Sequence, residues 1–364
     1  MSIPLKLILA ALASLPILTF AATPAITSAT GTPQTGQILQ ISGTNLNNEA
    51  KTNWDPFFTT NANAWSFEGQ NPPADGYGHP GEQVTGKYDN TVSILGSQSM
   101  KYHLEGASVF NPDGSGQFFA SDYIYTQGND LWIRSYVRWS LNSGSWPSSH
   151  TKMLKVLGQE DGTTKASGIQ PVPPDQMLVV HSNMGGNPQY FNIPSGPIEK
   201  NRWYALEFHA RAGSNPVVEA WLDGVKVFDS ATGPTPPGGV LQWIEFGVIN
   251  SCCTDANFSL DHWVDGLTVA STRVFPSAMV EVGNSSNYAT ATKKTQALQK
   301  ISDGQISSKL DLTGLGSGPY YLWVTNNRQE RSQAYVLGQG APAPVLDQGA
   351  PAPVLSPPTN LRTH

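Results

Sequence analysis

Nine runs of strand length, at residues 98–104, 117–123, 131–140, 152–157, 176–182, 203–211, 217–228, 241–249 and 258–274, succeed one another with turn residues between them. Strands this dense bury themselves in two packed sheets, as a sandwich or jelly roll. No stretch carries a sustained helical period. The one ambiguous segment, residues 289–299, reads as loop and strand. Only 13% of residues are charged, and 35 Gly and 28 Pro supply the turns that many short strands need. The expected fold class is therefore all-β.

A chain of 364 residues exceeds the roughly 250 to 300 at which single cores stop growing, so two domains are expected. Two short strand signals, at 24–28 and 36–43, precede the central block, and two strands do not make a stable domain. Five more follow it, at 279–282, 296–301, 306–312, 320–325 and 334–337. Two plus five is the strand count of a basic immunoglobulin-like sandwich. The expected organisation is a split domain, 22–49 with 276–338, around an insert at 50–275. Insertion at a surface loop is tolerated where chain ends lie close together.

Lys6, the apolar run from Leu7 to Phe20 and the small residues around Ala21 read as a removable export signal over residues 1–21. The run is shorter than the roughly 20 residues of a membrane span, and Pro16 interrupts it. The expected location is secreted, periplasmic or cell-surface, with no membrane span once the signal is removed. A net charge of -6 without any Lys/Arg-rich run argues against nucleic acid, whose phosphates require basic patches. Ten Trp and twelve Tyr suit a polysaccharide or cell-surface glycan as partner, because aromatic faces stack on sugar rings.

The two cysteines are adjacent, Cys252 and Cys253. Neighbouring Cα atoms lie about 3.8 Å apart, below the usual disulfide span of about 4.4 to 6.8 Å, so a bond between them is a vicinal ring. The alternative is two free or intermolecularly bonded thiols. Residues 339–364 repeat Gln-Gly-Ala-Pro-Ala-Pro-Val-Leu from Gln339 and again from Gln348. Alternating Pro makes this a linker or tail.

Pro24-Ala-Ile-Thr-Ser and Gln40-Ile-Ser-Gly-Thr-Asn-Leu, with Gly318-Pro-Tyr-Tyr-Leu-Trp-Val-Thr-Asn, resemble the opening and late strands of IPT/TIG-type immunoglobulin-like domains. The insert resembles concanavalin A-like lectin/glucanase domains through Trp65-Ser-Phe-Glu-Gly, Arg202-Trp-Tyr-Ala-Leu-Glu-Phe-His, Glu219-Ala-Trp-Leu-Asp-Gly-Val-Lys and Leu260-Asp-His-Trp-Val-Asp-Gly-Leu-Thr-Val-Ala-Ser. The first resemblance implies a spacer or interaction module. The second implies a jelly roll that hosts lectins, glycoside hydrolases, polysaccharide lyases and adhesive modules alike.

Alternation sorts residues 131–140 into a core face, Leu131, Ile133, Val137 and Trp139, and a second face, Trp132, Arg134, Tyr136 and Arg138. On residues 203–211 the second face is Trp203, Glu207, His209 and Arg211. Indole platforms beside guanidinium forks suit uronic-acid or sulfated sugars, so Trp132, Trp203, Glu207, His209 and Arg211 are candidate ligand contacts. An ordinary solvated face is the competing reading.

A retaining glycosidase requires two carboxylates about 5 to 5.5 Å apart, and no strand supplies the family's spacing. Glu219 and Asp223 share a face, but Asp223-Gly224 reads as a hairpin turn. Jelly-roll alginate lyases carry an Arg-rich strand, a Gln-x-His strand and a late Tyr strand. Ile133-Arg-Ser-Tyr-Val-Arg resembles the first, Val156-Leu-Gly-Gln-Glu lacks the His of the second, and Trp243-Ile-Glu-Phe-Gly-Val-Ile-Asn lacks the Tyr. The candidate catalytic set is Arg134 and Arg138 for the substrate carboxylate, His181 as base and Tyr136 as acid. Glu68 and Asp265 occupy positions resembling a structural calcium site of this class, although calcium requires about six to eight oxygens. The leading expectation is an exported polysaccharide-binding or cell-surface protein. The alternatives are a uronic-acid polysaccharide lyase and a structural surface protein without a sugar ligand.

Overall fold

The computed structural model describes residues 23–46, 87–105, 118–144, 152–160, 163–172, 176–181, 189–192, 199–211, 217–230, 241–250, 259–302 and 304–338. For β5, β8, β9 and β10 below, and for parts of several other strands, the backbone course alone is described. Every regular element among these residues is a strand.

The chain opens with β1 (Ala25–Thr30) and β2 (Ile38–Thr44), then enters a long β-rich block. That block runs through β3 (Lys87–Asp89), β4 (Ser99–Glu105), β5 (Phe118–Gly128), β6 (Asp130–Ser143), β7 (Lys152–Glu160), β8 (Thr163–Val172), β9 (Gln176–His181) and β10 (Gln189–Asn192). It continues with β11 (Trp203–Arg211), β12 (Val217–Leu222), β13 (Val225–Ser230), β14 (Leu241–Asn250) and β15 (Ser259–Ala270). The chain closes with β16 (Ala278–Gly283), β17 (Lys293–Thr295), β18 (Ala297–Ser302), β19 (Gln305–Lys309), β20 (Tyr321–Asn326) and β21 (Tyr335–Val336).

The middle block forms a jelly-roll sandwich of a seven-stranded sheet, β13-β12-β11-β6-β15-β4-β3, and a six-stranded sheet, β10-β9-β8-β7-β14-β5. Its core interleaves Leu131, Ile133, Val137 and Trp139 of β6 and Leu206 and Phe208 of β11 with Leu154, Val156, Ile244 and Phe246 from the six-stranded sheet. The two ends of the chain meet in a smaller immunoglobulin-like sandwich. One of its sheets is β1-β2-β19-β18 and the other is β17-β16-β20-β21. Ile41 of β2 pairs with Ile306 of β19, so strands from opposite ends of the sequence share one ladder. The short β17 adds an eighth strand, one more than the sequence pattern counts.

The core clusters show how the two sandwiches join. Tyr136, Trp203, Ala205 and Trp263 belong to the outer face of the seven-stranded sheet, yet they lie in one buried cluster with Leu39, Ile41, Val280 and Val324 of the smaller sandwich. This sheet therefore buries one face on the jelly roll's own core and the middle of the other against the terminal sandwich. That is why alternation along β6 and β11 runs apolar on one side and mixed on the other, although the middle of the mixed side is covered.

A second feature ties the jelly-roll sheets together. β15 points His262 inward, where its ring stacks on Trp139 at 5.7 Å between centroids. Its Nδ1 donates to the Gly247 carbonyl of β14, 2.9 Å away. Full burial holds the imidazole pKa down to about 3 from 6.5, opposed by that hydrogen bond. The ring is thus neutral in the fold, while the unfolded chain takes up a proton below about pH 6.5. The stability it contributes is complete above that pH and is lost as pH falls towards 3, by about 1.4 kcal/mol per unit. Denaturant titrations of the wild type and His262→Phe at matched pH should show their stability difference flat above 6.5 and shifting against the wild type below it. A pH-independent difference contradicts the neutral buried ring.

Candidate functional site

The outer face of the seven-stranded sheet brings most of the sequence-predicted residues together. Antiparallel register aligns Trp132 with His209, Arg134 with Glu207, Tyr136 with Ala205 and Arg138 with Trp203. Their surroundings divide the face into three zones.

The middle zone is sealed. Arg134 is 0% exposed, with Nη1 donating to the Phe275 carbonyl at 2.9 Å and Ser277 Oγ at 3.3 Å, and Nη2 donating to Thr268 Oγ1 at 2.5 Å. Tyr136 Oη sits 3.3 Å from both the N–H and the carbonyl of Ala278. Burial pushes its phenol up to about 12. Trp203 is buried in the same interface. These three residues cannot meet a polymer, and their roles as charge neutraliser, acid and sugar platform are corrected. They secure the segment that leads into the smaller sandwich. Tyr136→Phe should lower stability by about 1 to 2 kcal/mol through the Ala278 backbone groups it leaves unsatisfied, read from the shift in urea midpoint at unchanged slope.

Asp265 also belongs to this interface. Its Oδ2 accepts the N–H groups of Ile94 and Leu95 at 2.8 and 2.9 Å, and its Oδ1 accepts that of Gly266 at 2.8 Å. Burial lifts the carboxyl to about 7 against those three donors and Lys300. With its oxygens committed to backbone, Asp265 is a loop clamp, which corrects its assignment to calcium. Glu68, Cys252, Cys253, residues 1–21 and the tail 339–364 lie outside the described residues. No group of three His, Cys, Asp or Glu among the described residues is arranged to hold a metal.

The zone at one end of the face holds Trp132, His209, Glu207 and Arg211, joined by Glu219 and by Asp130, Trp221, Lys226, Asp229 and Arg273, which the sequence reading did not single out. The His209 ring stacks on Trp132 at 3.8 Å, and its two nitrogens lie 2.7 Å from Glu219 and Asp130. Burial raises the pKa of Glu207, which pairs with Arg273 at 3.0 Å. The Arg273 guanidinium lies 4.3 Å over Trp221 and 4.4 Å over Phe275. Burial alone would raise Glu219, but hydrogen bonds from Lys226 and His209 prevail and leave it lowered. Lys226 also bonds Asp229, and Arg211 approaches Asp130 at 3.9 Å. Four carboxylates, Asp130, Glu207, Glu219 and Asp229, thus face three permanent cations, Arg211, Lys226 and Arg273. This is an ion-pair network with no surplus charge for an acidic sugar.

At the other end Arg138 and Lys101 lie 5.2 Å over the Trp263 ring. The Trp263 indole N–H donates to Asp89 at 2.8 Å. Asp261 accepts from Lys101, Asn142 and His103. Asp223 and Gly224 have φ of 51° and 78° and join β12 to β13 as a two-residue hairpin turn. Asp223 receives the Ala205 N–H at 2.9 Å and Arg202 at 2.6 Å, so it serves the turn.

His181 is not on this sheet. It ends β9, in register with Ser167 of β8, which pairs with Val156, a core position of β7. The set Arg134, Arg138, Tyr136 and His181 therefore spans two sheets and does not converge.

The six-stranded sheet carries the other broad face. Ile244 and Phe246 of β14 and Leu154 and Val156 of β7 face the core. Register aligns Glu245 with Tyr123 of β5 on one side and Lys155 of β7 on the other. The neighbouring row is Tyr125, Trp243 and Leu157. Register shifts bracket this part of β14, one at 241/243 and one at 246/249. Bulges bend a strand and re-aim its side chains, and they gather beside active sites.

The fold and its two faces define an all-β protein in which a jelly roll stands on an immunoglobulin-like sandwich built from both chain ends. No family model matches the sequence, and no curated protein matches it. Among solved structures, the endo-beta-1,4-glucuronan lyase of the fungus Trichoderma reesei shares 14% identity over 51% of this chain and 87% of its own, with a TM-score of 0.41. The cellulose induced protein Cip1 shares 18% over 54% and 89%, at 0.37. A mutant of the alginate lyase Aly36B in complex with alginate tetrasaccharide shares 14% over 51% and 86%, also at 0.37. Similarity at this level bears on neither ligand nor chemistry.

Proposed function

We propose that this is an exported polysaccharide-binding protein that holds its glycan on the outer face of the six-stranded sheet. Residues 1–21 act as its signal, and the split sandwich, of IPT/TIG type over 22–49 and 276–338, acts as its base. The observation that carries the reading is that the smaller sandwich covers the middle of the seven-stranded face. The six-stranded sheet then offers the broad face for a polymer, and register gathers Tyr123, Tyr125, Trp243, Glu245 and Lys155 on three adjacent strands of it. Aromatic rings supply sugar platforms and the charged pair supplies orientation.

One observation favours a second reading, a lyase acting on uronic-acid polymers. A lysine and a tyrosine flank Glu245 in one row, and β-elimination requires one group to take a proton and another to return one. Gel-retardation electrophoresis against alginate, polyglucuronate, pectate, xylan and cellulose derivatives separates these readings when the ultraviolet absorbance of unsaturated product is followed in parallel. Retardation without absorbance is expected, and Trp243→Ala should weaken it at least about tenfold, the scale of a stacking contact with its buried area. Absorbance growth establishes the lyase. Silence in both assays leaves a structural surface protein.

A further inference from the structure

The geometry points to His262 as a positioning residue for the ligand face, acting through the backbone of β14. This rests on the glycan reading above. β14 pairs with β7 at Phe246–Leu154 and again at Ile249–Lys152, and the ladder shifts between them. Gly247 lies in that gap on the β7 side, while it stays in register with Ser121 of β5, and its φ is 134°. A strand carbonyl ordinarily bonds to a neighbouring strand. A carbonyl released by a bulge and turned into an apolar core needs a donor from elsewhere.

His262 supplies that donor from the opposite sheet, at 2.9 Å and fully buried. Its Nε2 is buried without a partner among the described residues. A hydrocarbon ring would avoid that desolvation cost but could not satisfy Gly247. The ring is fixed by Trp139, and Tyr102 is the titratable neighbour beside it, 6.0 Å between centroids. The next residues outward on β14, Glu245 and Trp243, carry the proposed glycan contacts. The histidine thus sets the bend of the strand that aims them, from the side of the sheet that no ligand touches.

Two variants of the full chain test this. His262→Phe fills the space without a donor, and His262→Asn returns an N–H near the Nδ1 position. Amide hydrogen exchange is measured on both, together with affinity for whichever polymer retards the wild type. In the Phe variant, exchange within residues 243–250 should accelerate at least about tenfold, as befits a buried carbonyl left unsatisfied, while β18 to β21 keep their protection. Affinity should fall by about tenfold, and the Asn variant should recover both. Unchanged exchange in β14 overturns the tie. Accelerated exchange with wild-type affinity overturns the positioning role, leaving a purely structural histidine. A wild type that binds no polymer overturns the glycan reading and the positioning role with it, whereas insensitivity of a bound polymer to His262→Phe overturns the positioning role alone.

Discussion

Arg134→Met should cost about 3 to 5 kcal/mol of stability, the scale for removing one partner from a buried charged network. Methionine keeps much of the apolar stem and removes every donor of the guanidinium. The Phe275 carbonyl and the hydroxyls of Thr268 and Ser277 lose their partner, and buried Glu207 is left with Arg273 alone among its described partners. These groups all lie where the jelly roll passes into the smaller sandwich. The loss should therefore uncouple the two bodies as well as weaken them. Urea unfolding followed by tryptophan fluorescence and far-ultraviolet dichroism should show one coincident transition in the wild type and separated transitions in the variant. A midpoint shift worth under about 1 kcal/mol, within the range of an ordinary exposed arginine, contradicts the assignment.

Asp265→Ala should have a similar effect by a different route. Three backbone N–H groups lose their acceptor, and each buried donor left unsatisfied costs about 1 to 3 kcal/mol. The segment it holds is a wedge between the two bodies. Ile94 and Leu95 lie in the shared core. From the other side the Ile94 carbonyl receives the Ile301 N–H at 2.7 Å, and Lys300 reaches the Gly96 carbonyl at 2.6 Å. At pH 8, where the carboxylate is charged, the variant should lose about 3 to 5 kcal/mol. Exchange of amides 92–98 should accelerate far more than that of β14. Asp265→Asn should fall between, since its amide NH2 faces donors it cannot accept. Equal protection of residues 92–98 in all three proteins contradicts the clamp.

Both residues show where the sequence was readable and where it was not. Alternation along β6 separated Leu131, Ile133, Val137 and Trp139 from Trp132, Arg134, Tyr136 and Arg138, and the first four do lie in the jelly-roll core. Alternation distinguishes two faces of a strand but not what covers each. Arginine and tyrosine on a non-core face suggest solvent or ligand, yet a hydroxyl of the neighbouring β15 and a carbonyl and a hydroxyl of the segment leading into the smaller sandwich satisfy Arg134 equally well. The strands missed have their own cause. β8, Thr-Thr-Lys-Ala-Ser-Gly-Ile-Gln-Pro-Val, lacks both alternation and β-branched density and is held by β7 and β9 on either side, an instance of neighbours overriding local preference. The register shifts in β14 leave little local sequence signal beyond one glycine, so the alignment of Tyr123, Glu245 and Lys155 became visible only once strand neighbours were known. Gly247 and His262 are the residues that could have hinted at it, one permissive of an unusual φ and one the polar member of the inward row Leu260, His262 and Val264.

The central claim is that the glycan lies on the six-stranded sheet while the seven-stranded face is taken up by the protein itself. Affinity electrophoresis of four single variants against the polymer that retards the wild type tests it directly. Trp243→Ala and Lys155→Ala should weaken retardation at least about tenfold, and Trp132→Ala and Arg211→Ala should leave it within about twofold, because those two residues belong to an internally paired network. Loss of retardation in the Trp132 and Arg211 variants, with the Trp243 and Lys155 variants binding as the wild type does, would place the ligand on the opposite sheet and contradict the account.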